Sequence, residues 1–401
     1  MNLVDLRNYI KTQKGYAFKS KWFIKAGIPI VKVKDFTDDS ISKENVDYIN
    51  DELACDFDRY LLDTNDVIIQ TVGSWASNPN SVVGKAVKVP SALKGALLNQ
   101  NAVKIIPTEK LDKKFLYYTL RTDDFKGYIV NTAQGSASQA SITLESIKNY
   151  NFHLPLLHTQ KRIADILSSY DDLIENNLKR IKLLEQAAQN IYKEWFVNLR
   201  FPGYENTPLN EETGFPEGWK KMNLYNFAKI QMGYAFKAND FNDQMKGNPA
   251  IRIRDILSGW TKTFTNEIVS DKYYVEHGDI LIGMDGIFHI GVWSGQENAL
   301  LVQRVCRLRA NNVNLQGYLY ESLKAPIKYY EQTISGATVA HLGAKHLKEI
   351  FILVPNDELL NRLSIFNTFN SEIITLNKQN QKLKSARDIL LPRLMNRTIE
   401  V

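Results

Sequence analysis

Cysteine is almost absent from this 401-residue chain: Cys55 and Cys306 are its only two. They lie in different copies of a repeat and form no Cys-x-x-Cys pair, which argues against a disulfide framework and a thiolate metal knuckle. Each reads as a buried free thiol. Long apolar runs are also missing. None approaches the roughly 20 residues that cross a bilayer, and Met1 to Lys14 holds no apolar stretch of signal-peptide length. The expectation is a cytoplasmic protein with no membrane segment. Nor does charge of one sign dominate, because 50 Lys and Arg face 44 Asp and Glu. The net charge of +6 and pI ≈ 8.9 permit a polyanionic partner without requiring one.

Catalytic signatures are lacking as well. There is no Walker A string, hence no P-loop for ATP. There is no Asn-Pro-Pro-Tyr or Asp-Pro-Pro-Tyr string for work on a flipped base. The nearest string, Asn78-Pro79-Asn80-Ser81, lacks the aromatic that would stack on it. No Gly-rich turn follows a strand as S-adenosylmethionine binding would need. The histidines His153, His158, His277, His289, His341 and His346 show no metal spacing. The balance points to a non-catalytic binding subunit with no metal site and no cofactor of its own. An enzyme with an unrecognised active site stays open.

What is present is a duplication. Gly15-Tyr16-Ala17-Phe18-Lys19 is echoed by Gly233-Tyr234-Ala235-Phe236-Lys237. Gly27-Ile28-Pro29-Ile30-Val31-Lys32-Val33-Lys34-Asp35 is echoed by Gly247-Asn248-Pro249-Ala250-Ile251-Arg252-Ile253-Arg254-Asp255. Ala96-Leu97-Leu98-Asn99-Gln100 is echoed by Ala299-Leu300-Leu301-Val302-Gln303. Collinear matches mean a repeated unit. The offset between copies falls from 218 at Gly15/Gly233 to 213 at Asp66/Asp279 and 203 at Ala96/Ala299. The first copy therefore carries extra residues, mostly between Asp66 and Ala96. Short apolar runs at 28–33, 66–72, 251–256 and 279–284 read as strands. Segments 111–122 and 315–330 read as helices.

Each copy is followed by a heptad helix. In the first, Ile163, Leu167, Tyr170, Ile174, Asn177, Ile181, Leu184, Ala188, Ile191 and Trp195 alternate spacings of four and three. In the second, Phe369, Ile373, Leu376, Asn380, Leu383, Arg387, Leu390 and Leu394 do the same. Such a stripe cannot be buried by one helix alone, so the two are expected to pair. Asn177 and Asn380 sit at non-equivalent heptads and could fix register, or could lie at a solvated end of the seam. Pro392 is expected to kink or end the second helix. The organisation is α+β, with an internal repeat: domain 1 at 1–155, helix 1 at 156–200, a linker at 201–221, domain 2 at 222–355 and helix 2 at 356–401. The linker's prolines and glycines suggest an extended return path, since about 20 residues reach ~60 Å.

Two similar domains in one chain suit a ligand with two similar halves, and double-stranded DNA fits. Small polar segments carry the candidate contacts. One is the loop at 74–81, with Ser74, Trp75, Asn78 and Asn80, and Lys85 just beyond it. Another is 134–139, with Gln134, Ser136, Ser138 and Gln139. The second copy offers Asp285, Phe288 and His289, then Thr338, His341 and Lys345. Ser, Asn and Gln can donate to phosphates or base edges; a plain surface loop is the alternative. Lys32 and Lys34 match Arg252 and Arg254, alternating along a strand, either as a phosphate-facing row or as a solvated face. Lys19 and Lys237 close the shared Gly-Tyr-Ala-Phe block, which reads more as a structural turn.

These strings carry a resemblance. Gln160-Lys161-Arg162-Ile163-Ala164-Asp165-Ile166-Leu167, Asp171-Asp172-Leu173-Ile174-Glu175 and Leu183-Leu184-Glu185-Gln186-Ala187-Ala188 begin it. Trp195-Phe196-Val197 with Arg200-Phe201-Pro202-Gly203, Pro216-Glu217-Gly218-Trp219 and Ala386-Arg387-Asp388-Ile389-Leu390-Leu391-Pro392-Arg393-Leu394-Met395 complete it. Across its whole length the chain resembles specificity subunits of type I restriction–modification systems. The resemblance implies two target-recognition domains and an antiparallel coiled coil that acts as a ruler, related by a pseudo-twofold. Each domain would read one half of a split, asymmetric DNA target. Two methyltransferase subunits would bring S-adenosylmethionine and methylate adenine. Two motor–nuclease subunits would bring ATP and Mg²⁺ chemistry. One departure is that the first copy lacks the tryptophan lead-in that Trp219 gives the second. A specificity subunit serving a fused methyltransferase–nuclease, and a protein-binding scaffold, stay open.

Overall fold

The computed structural model describes residues 3–75, 82–136, 139–334 and 340–401. It divides into two compact units. One comprises Met1–Asp172 and Leu383–Val401, the other Leu173–Lys382. Asn78, Asn80, Ser138 and Thr338 lie outside the described residues.

In the first unit a four-stranded antiparallel sheet has the order Ile10–Lys14, Ala102–Pro107, Val67–Gln70, Ala86–Lys88. All four residues of Val67–Gln70 are buried because both faces are covered. Val67 and Ile69 join a core with Phe115, Leu116, Ile163 and Leu167, whereas Ile68 points into a second core with Val31 and Val87. A strand covered on both sides reads as an unbroken apolar run. The second unit repeats the sheet with Ala228–Met232, Val305–Ala310, Ile280–Gly283 and Ile290–Val292. Ile280 and Ile282 face one core and Leu281 the other. The extra length of the first copy falls between the third and fourth strands of this order: 19 positions separate Val67 from Ala86, against 10 between Ile280 and Ile290.

The repeated blocks have physical causes. A Cβ on Gly15 would lie 1.9 Å from the Asn99 carbonyl oxygen, and one on Gly233 would lie 2.1 Å from that of Val302. Only glycine lets the chain pass there. The buried Asp35 and Asp255 accept from the backbone N–H of Lys32 (2.8 Å) and Arg252 (3.0 Å). Burial pushes both carboxyls up, against those hydrogen bonds. The strands consequently stop at Val31 and Ile251, and a 3-10 turn follows each. Lys32, Lys34, Arg252 and Arg254 therefore border or occupy turns and do not form a strand row.

The helices expected at 111–122 and 315–330 are Lys113–Thr119 and Gln316–Thr333. The long ones are Leu157–Tyr192, extended by a π-helical turn at Lys193–Val197, and Ser364–Met395. Pro392 is accommodated one turn before the end. Stepping from 171 to 177 to 192 on the first helix meets 387, 380 and 366 on the second, so the two run antiparallel. Ile163, Leu167, Ile174, Asn177, Ile181, Leu376 and Asn380 are buried along the seam, while Tyr170, Leu184, Ile191, Phe369, Ile373, Leu383 and Leu390 are half-buried. Asp171, Asn370 and Leu391, the neighbours of Tyr170, Phe369 and Leu390, are the buried ones. Asp171 and Leu391 are covered because the domain packs on that flank of the helices.

Asp171 shows how. Arg387, at 3% exposure, donates from Nη1 to Asp171 Oδ1 (2.6 Å) and to Asp39 Oδ2 (3.1 Å). Lys88 Nζ (2.9 Å) and Tyr118 OH (2.7 Å) donate to the other Asp171 oxygen. Arg121 pairs with Asp39 and donates to Tyr117 OH. Burial alone would raise Asp39, but Arg121 and Arg387 hold it down at about 2. Asp171 is likewise lowered against its burial, by Lys88 and Arg387. In the second unit the same stretch of helix surface is aromatic: Tyr318 lies 4.7 Å from Phe196, 6.0 Å from Tyr192 and 6.0 Å from Phe366.

Two sequence expectations change. The 201–221 segment is not an extended tether, because the rings of Phe201 and Trp219 meet, tilted, at 4.8 Å and Trp219 reaches Phe196 at 5.4 Å. Those rings gain more from burial than a stretched chain would. Cys55 is exposed, while Cys306 is buried with its thiol pushed up to about 12 by desolvation. The missing tryptophan lead-in does not cost the first copy its edge pairing: Leu3–Asp5 pairs with Asn151–His153 as Lys220–Asn223 pairs with Phe351–Val354.

Replacing Arg387 by Met should destabilise the first unit by ~3–5 kcal/mol near neutral pH, since the buried Asp171 and the part-buried Asp39 lose the cation they share and keep only Lys88 and Arg121. Because Asp39 and Asp171 titrate lower folded than unfolded, their contribution is present above about pH 4 and is lost as pH falls toward about 2. The urea midpoint of the intact chain should fall across that window, and fall less steeply in Arg387→Met. At the seam, Asn177 donates to Asn380 at 2.9 Å, both buried. Asn177→Leu alone should cost ~1–3 kcal/mol by stranding Asn380, and the double Leu variant should recover it in thermal melting.

Candidate nucleic-acid interface

Three segments meet beside the central sheet in each unit. In the first, the chain leaves strand Val67–Gln70 at Thr71. Its N–H donates to the Asn101 carbonyl (2.8 Å) and its carbonyl accepts from Ile142 N–H (2.9 Å). Val72–Gly73 then pairs with the hairpin formed by Gln134–Ser136 and Gln139–Ser141. In the second, Met284 N–H donates to the Arg304 carbonyl (2.8 Å) and its own carbonyl accepts from Leu342 (2.8 Å). Asp285 bridges His341, and Gly286 N–H donates to Ala340 (3.0 Å). The fold thus joins Thr71–Gly73 to the hairpin at 134–136 and 139–141, and 284–286 to 340–342.

Within these heads Gln134 and Gln139 are exposed while Ala140 is fully buried, the alternation of a hairpin with one outward face. Ser74 bridges Val82, and Trp75 is half-buried against the core. Asp285 is held from both sides, by His341 Nδ1 at 2.5 Å and Arg304 Nε at 3.2 Å. His289 is half-buried and Lys345 exposed.

Other expected contacts stand differently. Phe288 is 3% exposed and belongs to the core, so its ring faces no ligand. Lys85 is mostly buried, 3.8 Å from the exposed Asp38, and desolvation lowers its pKa; most of its side chain is turned away from solvent. Lys32 and Lys34 share the Asp47 carboxylate at 2.7 and 3.1 Å, and Lys32 also sits 3.7 Å over Phe23. Their hydrogen bonds hold Asp47 below the ordinary carboxylate range. Arg252 lies 4.7 Å over Phe241, while Arg254 is well exposed. Lys19, over Trp22 at 5.4 Å, and Lys237 are exposed beside the aromatic clusters of the Gly-Tyr-Ala-Phe turns. Asn101 and Arg304 were not anticipated; the only signal was that they directly follow the glutamine shared by both copies.

Among the described residues no group of three or more His, Cys, Asp or Glu could hold a metal ion. No described helix is long and apolar enough to cross a membrane.

The model of the type I restriction modification DNA specificity domain matches residues 1–186 and again 216–385. The type I restriction enzyme MjaIX specificity subunit of Methanocaldococcus jannaschii is 25% identical over 309 residues, covering 74% of this chain and 71% of that protein. The MjaVIII specificity subunit of the same organism is 24% identical over 405 residues, covering 94% of this chain and 91% of its own. The crystal structure of a type I restriction–modification S subunit from M. genitalium superimposes with a TM-score of 0.57 at 17% identity, over 98% of this chain and 96% of that one. With two family matches in tandem, one on each copy of the repeat, the chain belongs to the type I restriction–modification DNA specificity family, and DNA target recognition is its role.

Proposed function

We propose that each unit reads one half of a split, asymmetric duplex target, and that the chain directs partner subunits without catalysing a reaction itself. The observation that carries this reading is the same three-segment head, built twice on the same sheet with different side chains. Gln134, Gln139, Trp75 and Ser74 face the first half-target. Asp285, His289, His341 and Lys345 face the second. Lys19, Lys237 and Arg254 supply phosphate contacts. Two methyltransferase subunits and two motor–nuclease subunits complete the assembly. S-adenosylmethionine belongs to the former and ATP with magnesium to the latter, and the modified base is adenine. The setting is cytoplasmic.

Single-molecule methylome sequencing of a host expressing this chain with its methyltransferase should reveal a split adenine-methylated motif that vanishes without the chain. Replacing residues 1–155 by the corresponding part of another family member should change one half of that motif and leave the other intact. A motif unaffected by the chain would sink the proposal. Binding of the purified complex to its duplex should weaken with salt, log K falling linearly with log[salt]; a protein-binding scaffold would show no such slope on DNA.

A further inference from the structure

Both copies hold a non-glycine residue in the left-handed backbone conformation at the same place in the repeat: Asn101 at φ 69° and Arg304 at φ 75°. Each is the second residue of an exposed two-residue turn, Gln100-Asn101 or Gln303-Arg304, leading into a central strand of the main sheet. Asparagine tolerates this conformation; a long side chain such as arginine rarely adopts it. The carbonyls of both residues accept the hydrogen bond that ties the recognition loop to the turn. Backbone strain retained at an exposed position next to a binding surface points to a task for the side chain.

The environment of Arg304 fits such a task. Its Nε lies 3.2 Å from Asp285 Oδ2, and the other Asp285 oxygen lies 2.5 Å from His341 Nδ1. One edge of the guanidinium is therefore anchored, while the side chain stays 54% exposed. An arginine fork oriented from behind suits the O6 and N7 acceptors of guanine, and asparagine suits N6 and N7 of adenine. We infer that Arg304 reads a guanine in the half-target of the second unit, positioned by Asp285 and His341, and that Asn101 occupies the corresponding reading place in the first. This rests on the proposed split-target reading.

The test compares the intact complex carrying wild-type chain, Arg304→Gly, Arg304→Lys or Asp285→Asn. Glycine keeps the left-handed turn and removes the fork; lysine keeps the charge and loses the bidentate geometry. Methylome sequencing gives the motif, and binding to duplexes with each base substituted in turn gives the discrimination. The expected result is a guanine in the half that changes when residues 222–355 are exchanged. Both Arg304 variants should lose preference for it by about 5- to 150-fold, the contribution of one bidentate pair. Asp285→Asn should lose less at the same position, and the other half should be unchanged. An unaltered motif, or equal weakening on every sequence as a phosphate contact would give, overturns the inference. If the wild-type complex itself shows no split motif, the proposed function fails and this inference with it. If wild type shows the motif and the variants retain it, only this inference fails.

Discussion

The first unit depends on one buried guanidinium. Arg387 occupies a heptad position where an apolar residue would normally sit, and it is satisfied by Asp171 on the facing helix, Asp39 from the domain and its neighbour Asp388. Lys88 and Tyr118 complete the shell of Asp171 from the sheet side and from the short helix. A charge this deep is tolerable when every lone pair and proton has a partner, and costly when one is removed. The same atoms that hold helix to helix therefore hold helix to domain. The second unit achieves the equivalent attachment with Tyr192, Phe196, Tyr318 and Phe366, which bury area without demanding matched charges.

Beneath this difference the scaffolds coincide. Gly15 and Gly233 allow the same close pass of backbone. Asp66 pairs with Lys104 at 3.4 Å, and Asp279 faces Arg307 at 3.9 Å on the matching strands. Asp35 and Asp255 end the matching strands. What varies lies beyond the sheet: the length between the strands at Gln70 and Ala86, and the side chains of the turns and hairpins. A constant frame with variable edges is how one fold serves different ligands.

The duplication, the strands and helices at its core, and the pairing of the two long helices were legible because each rests on a spacing or a repeated string; their antiparallel sense came from the family resemblance alone. Contacts across the fold were not. Asp47 pairs with both Lys32 and Lys34 because it lies opposite Ile30 on the next strand, which the separation of 13 or 15 residues does not reveal. Phe288 reads as part of a polar loop, yet the chain turns its ring into the core. Asn177 and Asn380 look unrelated in heptad numbering, and they meet only because the helices run in opposite senses. The closed path from Phe201 to Trp219 was hidden by prolines and glycines that equally suit an extended segment.

The ionic attachment of the first unit also bears on inheritance. A half-protein acquired by recombination in the second unit must bring aromatic faces, a glycine at 317 where a Cβ would lie 2.4 Å from the Phe366 backbone, and the Gly317 N–H and Val313 carbonyl that Asn367 meets. One acquired in the first must bring an acid at position 39, a base at 88 and a hydroxyl at 118, or else leave the buried Arg387–Asp171 pair without the rest of its partners. The two halves of this chain are thus seated by different chemistry, matched charges in the first unit and aromatic area with a close backbone approach in the second, and a transplanted half must meet a different set of conditions in each.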